Sequence, residues 1–178
     1  MKNLTGSPVE GNNFFGREKE IEYVWKSILD GNNIILSAPR RVGKTSFAKK
    51  MIEVAQKLKW NTIEINLEEV TSEEKLISLF LENLQTQSWF SVAKDEIKDM
   101  AKSIKFSGKF MGAEVNYEYQ QEKENNYNKL KKLLNHKVPT LIMIDELSVL
   151  LTHLIKKDEI NGKVNVEALL NWFRSLRQ

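Results

Sequence analysis

The stretch from Ile34 to Leu58 constrains this chain more than any other. Ile34-Ile35-Leu36 is a short unbroken apolar run between turn residues, the pattern expected of a strand buried on both faces. A loop from Ser37 to Gly43 follows, and then Phe47, Met51, Val54 and Leu58 recur at helical spacing. Strand, tight loop and helix thus succeed one another within about 25 residues. The loop Ala38-Pro39-Arg40-Arg41-Val42-Gly43-Lys44-Thr45 fits G-x-x-x-x-G-K-[ST], with Ala38 in the first glycine position. Between a strand and a helix such a loop surrounds a phosphate, because successive backbone N–H groups and the helix amino terminus converge on it. Gly43 lets the backbone approach without a Cβ, Lys44 supplies a point charge to the β and γ phosphates, and Thr45 offers a hydroxyl to Mg²⁺. Pro39, Arg40, Arg41, Val42 and Ser46 complete the expected nucleotide-binding stretch. Arg40 and Arg41 either approach phosphates or solvate the loop. Ala38 costs roughly 1 kcal/mol only where that position needs a positive φ. The bland alternative is a chance strand, turn and helix with a lysine at its start.

A second apolar run, Leu141-Ile142-Met143-Ile144, reads as another strand buried on both faces, and it ends in Asp145-Glu146. Adjacent carboxylates immediately after a hydrophobic strand are costly to desolvate unless a cation or hydrogen-bond donors receive them. A metal–nucleotide site supplies that partner. Asp145 is the expected Mg²⁺ ligand at the carboxyl end of its strand, and Glu146 the group that polarises an attacking water. A strand end emerging into solvent, with Glu146 capping the next helix, is the plainer alternative. The presence of the phosphate loop about 100 residues earlier favours the metal–nucleotide reading.

The remaining chain alternates helix and strand. Residues 1–13 read as an irregular lead-in containing Gly6, Pro8 and Gly11. Ile21, Val24, Trp25 and Ile28 mark an amphipathic helix with Gly31 placed as its C-cap. Ile63, Ile65 and Leu67 alternate with polar residues, as in an edge strand with one wet face. Leu76, Leu79, Phe80 and Leu84 predict a helix behind Ser72, although Lys75 stands where a capping box has an acid. Further helices are expected over about 91–104 and 120–136. Between them Gly108, Gly112 and the alternating Ala113, Val115 and Tyr117 suggest a β-hairpin over about 103–119. Two more helices finish the chain, the last marked by Val166, Leu169, Leu170, Phe173 and Leu176. The expectation is one α/β domain over 14–178.

Composition narrows the function without choosing it. A length of 178 residues suits one core. Lys and Arg total 27 against 24 Asp and Glu, a net charge of +3 that permits nucleic acid but does not indicate it. Cysteine is absent, which excludes disulfides, thiolate nucleophiles and the usual zinc sites, and makes the cytoplasm the default compartment. No secretory leader and no membrane-spanning run is expected.

With both motifs located, the sequence resembles the AAA-like ATPases of the STAND and AAA+ branch, the additional-strand P-loop ATPases with a catalytic glutamate. The resemblance runs from Phe14-Phe15-Gly16-Arg17-Glu18 through the loop at 38–45 to Ile144-Asp145-Glu146. It implies a three-layer α/β/α P-loop NTPase fold with a mainly parallel sheet, to which the hairpin is a small insertion. It places Phe15, Gly16 and Arg17 near the adenine, and it tolerates alanine at Ala38. It makes Lys44 and Glu146 the catalytic pair and Thr45 and Asp145 the metal ligands, with ATP and Mg²⁺ as cofactors. It also implies a strand inserted between the phosphate-loop strand and the acidic strand, carrying a γ-phosphate sensor, and then a helical lid. The expectation is that both are absent from this stretch, which then is a fragment of a longer ATPase. The alternative is a truncated relative whose two motif strands pair directly. Arg174 and Arg177 lie beyond the apolar face of the last helix and read as solvated, not as arginine fingers.

Three functions follow. The first is an ATP-driven switch that couples hydrolysis to assembly or to a protein partner, in defence or signalling. The second is a DNA-associated module related to origin-binding and loader proteins, using the 103–119 hairpin with Lys105 and Lys109. The third is a nucleotide-stabilised interaction domain without turnover. The guanine-reading N-K-x-D pattern is missing, since Asn128-Lys129 is not followed by one.

Overall fold

The computed structural model describes residues 16–39, 42–87, 116–135, 137–158 and 160–177. Helix α1, Glu18–Leu29, is followed by α2, Lys44–Lys57, strand β1, Asn61–Asn66, and α3, Glu73–Thr86. After these come α4, Asn116–Leu134, strand β2, Thr140–Asp145, α5, Leu147–Lys157, and α6, Gly162–Ser175. The predicted helix over 91–104 and most of the predicted hairpin, Lys105 and Lys109 included, lie outside the described residues. Asn116 to Tyr119, the hairpin's last part, are helical instead. Tyr117 there belongs to a continuous 19-residue helix, whose backbone ladder satisfies its polar groups without a cross-strand partner.

β1 and β2 pair in parallel, in a register that sets Ile63 against Ile142, Ile65 against Ile144 and Asn66 against Asp145. The ladder continues past both strand ends, with Asn61 N–H donating to the Pro139 carbonyl at 2.9 Å and Leu67 N–H donating to the Asp145 carbonyl at 3.0 Å. β1 keeps the predicted alternation. Ile63 and Ile65 are buried, whereas Glu64 and Asn66 are exposed.

Helices lie on both faces of this sheet, although Glu64 and Asn66 stay exposed on one of them. Ile63 and Ile65 belong to the main core with Leu76, Phe80 and Leu84 of α3 and with side chains of α4, α5 and α6. On the other face Gln56 of α2 donates to the Thr62 hydroxyl at 3.5 Å, and successive strand residues point to opposite faces. α2 therefore lies against the Thr62 side, burying Phe47, Met51 and Ala55. α3 starts at Ser72, whose hydroxyl oxygen accepts the Lys75 N–H at 3.3 Å, one half of a capping box. The Lys75 ammonium meanwhile reaches the Glu69 carbonyl at 2.8 Å.

A polar thread ties the core helices together. The Tyr127 hydroxyl donates to Glu73 Oε1 at 2.7 Å, and the Trp172 indole N–H donates to the Tyr127 carbonyl at 3.1 Å. The Phe80 and Trp172 rings meet edge to face at 5.8 Å. Burial and the neighbouring Glu73 carboxylate push the Tyr127 hydroxyl far above the ordinary tyrosine range, so it stays a donor. α1 buries no residue completely. Its Trp25 ring packs against Trp60 at 5.1 Å.

Two strand expectations are corrected. Ile34-Ile35-Leu36 form no strand, and all three side chains are exposed, Ile35 at 87%. A strand exists only where a neighbour satisfies its N–H and C=O groups. Among the described residues the one strand pairing is that of β1 with β2, so direct pairing of the two motif segments does not occur. β2, expected to be buried on both faces, is half-buried throughout, and among the described residues it is paired along one edge only.

Candidate functional site

The candidate site forms where the amino end of α2 meets the carboxyl end of β2. Gly43 caps α2 with φ of 81°, a left-handed conformation that glycine adopts at little cost. α1 and α3 each open with two glutamates, which suit a positive helix terminus, whereas α2 opens on Lys44 and has no acid in its first turn. Nor does a side chain cap α2. Its amino end is therefore a concentration of positive charge and N–H donors suited to an anion.

The Lys44 ammonium donates to the carbonyls of Ala38 at 2.6 Å and Pro39 at 3.0 Å. It closes the loop upon itself, tying its first residues to the start of α2. Those two carbonyls were not foreseen as lysine partners, since the motif specifies side chains and not the backbone between them. Ser46 is buried, and Val42 is exposed. Phe15, Arg40 and Arg41 lie outside the described residues.

Asp145 is held from three directions. Its carbonyl takes the Leu67 N–H at 3.0 Å, its Oδ1 accepts the Glu146 N–H at 2.9 Å, and its Oδ2 accepts the Thr45 hydroxyl at 3.3 Å. The parallel register brings this about. It sets the carboxyl ends of β1 and β2 side by side, and α2, packed across the sheet, delivers Thr45 to the same edge. A separation of 100 residues along the chain is closed to hydrogen-bond distance.

Glu146 follows with φ of 56°, one of three non-glycine residues with positive φ among those described. Such a backbone costs about 1–2 kcal/mol and persists only where its surroundings impose it. Glu146 occupies the N-cap of α5, but its side chain makes no capping bond and is exposed. The capping alternative for its carboxylate is therefore not what the structure adopts.

Arg17, which the resemblance sets near the adenine, is the N-cap residue of α1. It also has a left-handed backbone, with φ of 97°, directly after Gly16 at 68°. Its side chain turns back to α2: Nη1 donates to the Val42 carbonyl at 3.5 Å, and the guanidinium lies 5.2 Å from the centre of the Phe47 ring. Arg174 donates to the Asn171 side chain at 3.0 Å and is exposed, in keeping with a solvated face.

Thr45 and Asp145 supply a hydroxyl and a carboxylate, both hard oxygen donors of the kind Mg²⁺ takes. No group of three or more acidic or histidine side chains gathers as a metal cage among the described residues. A cation held by this pair would keep water and phosphate oxygens as its other ligands, as Mg²⁺ does.

The sequence model of the ATPase family associated with various cellular activities (AAA) matches residues 34–178, more than half of the chain. The chain belongs to the AAA ATPase family. That match begins at the apolar segment before the phosphate loop and runs through β2 and both final helices. Membership brings a P-loop α/β fold and ATP as the nucleotide, and the helices packed on a parallel strand pair agree with it. No curated protein and no solved structure matches this AAA chain. No described helix is long and apolar enough to cross a membrane.

Proposed function

We propose that this AAA domain binds ATP with Mg²⁺ between the 38–45 loop and Asp145, and hydrolyses it to switch a partner or its own assembly. The observation that carries this reading is the Thr45 to Asp145 hydrogen bond of 3.3 Å, which brings the two motifs to one point. Lys44 neutralises the β and γ phosphates, exchanging its loop carbonyls for phosphate oxygens. Thr45 and Asp145 hold Mg²⁺, whose chemistry there is to neutralise developing phosphate charge. Glu146, exposed and free of a capping bond, orients the attacking water and accepts its proton. A STAND-type switch in defence or signalling suits the Phe15-Gly16-Arg17-Glu18 segment that precedes α1 and the loop.

The test is thermal unfolding with MgATP, MgGTP and no nucleotide, followed by phosphate release from Glu146→Gln. At 100 times the Kd, ATP should add about 2.7 kcal/mol of stability. Glu146→Gln should retain that gain while phosphate release falls at least about tenfold. An equal gain from GTP would remove ATP selectivity. Undiminished release from Glu146→Gln would remove its catalytic role, and binding without any release in either protein would leave a nucleotide-stabilised interaction domain.

A further inference from the structure

We infer that Arg17 is a positioning residue for the phosphate loop, acting on the triphosphate end of the ligand and not on its base. The inference rests on the nucleotide reading above. The guanidinium makes three contacts. Nη1 donates to the carbonyl of Val42, the residue immediately before the glycine cap of α2. The cation lies 5.2 Å from the centre of the Phe47 ring, one turn into the same helix, and that ring is 2% exposed and therefore fixed. Nε stands 3.7 Å from Glu20 Oε1, which ties the guanidinium to α1. One planar group thus joins α1, the loop and α2, a task suited to arginine because it can stack and donate at once.

The backbone supports the same role. Gly16 and Arg17 are consecutive left-handed residues, and Arg17 also accepts the Ile21 N–H through its carbonyl at 3.0 Å, starting α1. A left-handed arginine persists only where its surroundings hold it. Here those surroundings are the Val42 carbonyl and the Phe47 ring. Val42 and Gly43 set the direction of the N–H groups that meet the phosphates, so a misplacement of the carbonyl between them is felt there.

The test uses the whole chain and two ligands, MgATP and Mg-tripolyphosphate, which has the phosphates and no base. Affinities are measured by titration calorimetry for wild type, Arg17→Ala, Arg17→Lys, Phe47→Leu and the variant carrying both Arg17→Ala and Phe47→Leu, with folding followed by circular dichroism. Arg17→Ala should weaken both ligands by the same factor, about tenfold. Arg17→Lys retains charge without the planar stack and should fall between wild type and alanine, again equally for both ligands. Phe47→Leu removes the ring from the other side and should add little once Arg17 is alanine. Loss of ATP affinity with tripolyphosphate unchanged would assign Arg17 to the base and overturn the inference, as would unchanged affinity for both. A wild-type chain that binds neither ligand removes the nucleotide reading, and the role of Arg17 with it. If Arg17→Ala does not fold, equal losses in Arg17→Lys carry the inference, and unequal losses sink it.

Discussion

Gly43→Ala separates what the loop needs for folding from what it needs for its ligand. The residue sits at φ of 81°, and a Cβ built there meets nothing within 4 Å. The cost to the free protein is therefore backbone alone. A left-handed alanine loses about 1–2 kcal/mol, and the stiffer unfolded chain returns about 0.4–1 kcal/mol. The net loss is about 1 kcal/mol, or about 2–4 °C in Tm for a domain of this size. Gly31 provides a matched control, since its φ is 78° and a Cβ there also meets nothing within 4 Å. Gly31 closes α1, its N–H donating to the Ile28 carbonyl at 2.9 Å, and takes no part in the phosphate loop. Gly31→Ala should lower Tm by a similar amount and leave ATP affinity unchanged. Gly43→Ala should lower affinity by at least about tenfold, because its methyl occupies the surface the phosphate must approach. Differential scanning fluorimetry and calorimetric titration on both variants read the two effects. Equal affinities in the two variants would refute the reasoning, and so would a Gly43→Ala stability loss well beyond about 3 kcal/mol, which implies a clash the structure lacks.

Three further outcomes follow from local geometry. Glu146→Gly relieves a left-handed glutamate and should raise stability by about 0.5–1 kcal/mol while abolishing phosphate release; a destabilised variant contradicts the strain. Gly162→Ala would place a Cβ 2.7 Å from Ile155 Cα and from the Leu154 carbonyl oxygen, both backbone atoms where α5 meets α6, and should cost about 1–3 kcal/mol in denaturant melts. The Asp158 carboxyl is held below the ordinary carboxylate range, chiefly by the Asn161 backbone N–H and then by the Asn161 side chain. A lowered value in the folded state contributes stability above the unfolded carboxyl value of about 3.9, and loses it as pH falls through the folded one. Asp158→Asn should therefore flatten the acid limb of the stability profile, and an unchanged limb would contradict the assignment.

Much of the fold was legible because it rests on local periodicity. Ile21, Val24, Trp25 and Ile28 announce α1, and the positive φ of Gly31 ends it as glycine after a helix does. The alternation of Ile63, Glu64, Ile65 and Asn66 announces β1 and its wet face. Ile34-Ile35-Leu36 misled, since an apolar run states a preference for burial and not the presence of a neighbouring strand to pair with. Tyr117 misled through alternation that a polar helix also produces. The link from Glu73 through Tyr127 to Trp172 had no sequence signal at all, because its partners are 54 and 45 residues apart and follow no shared period. In the site, the motif named Lys44, Thr45 and Asp145, but the turn of Arg17 toward Phe47 depends on two left-handed residues that only the backbone reveals.

A double-mutant cycle across the 3.3 Å contact of Thr45 with Asp145 tests the meeting of the two motifs at one Mg²⁺-bound triphosphate. ATP affinity is measured for wild type, Thr45→Val, Asp145→Asn and the double variant, each with Mg²⁺ and with EDTA. The predicted result is strong non-additivity in Mg²⁺, with the double variant little worse than Asp145→Asn, and coupling that disappears in EDTA. Losses that simply add in Mg²⁺, or coupling that persists unchanged without the metal, would contradict a shared ion.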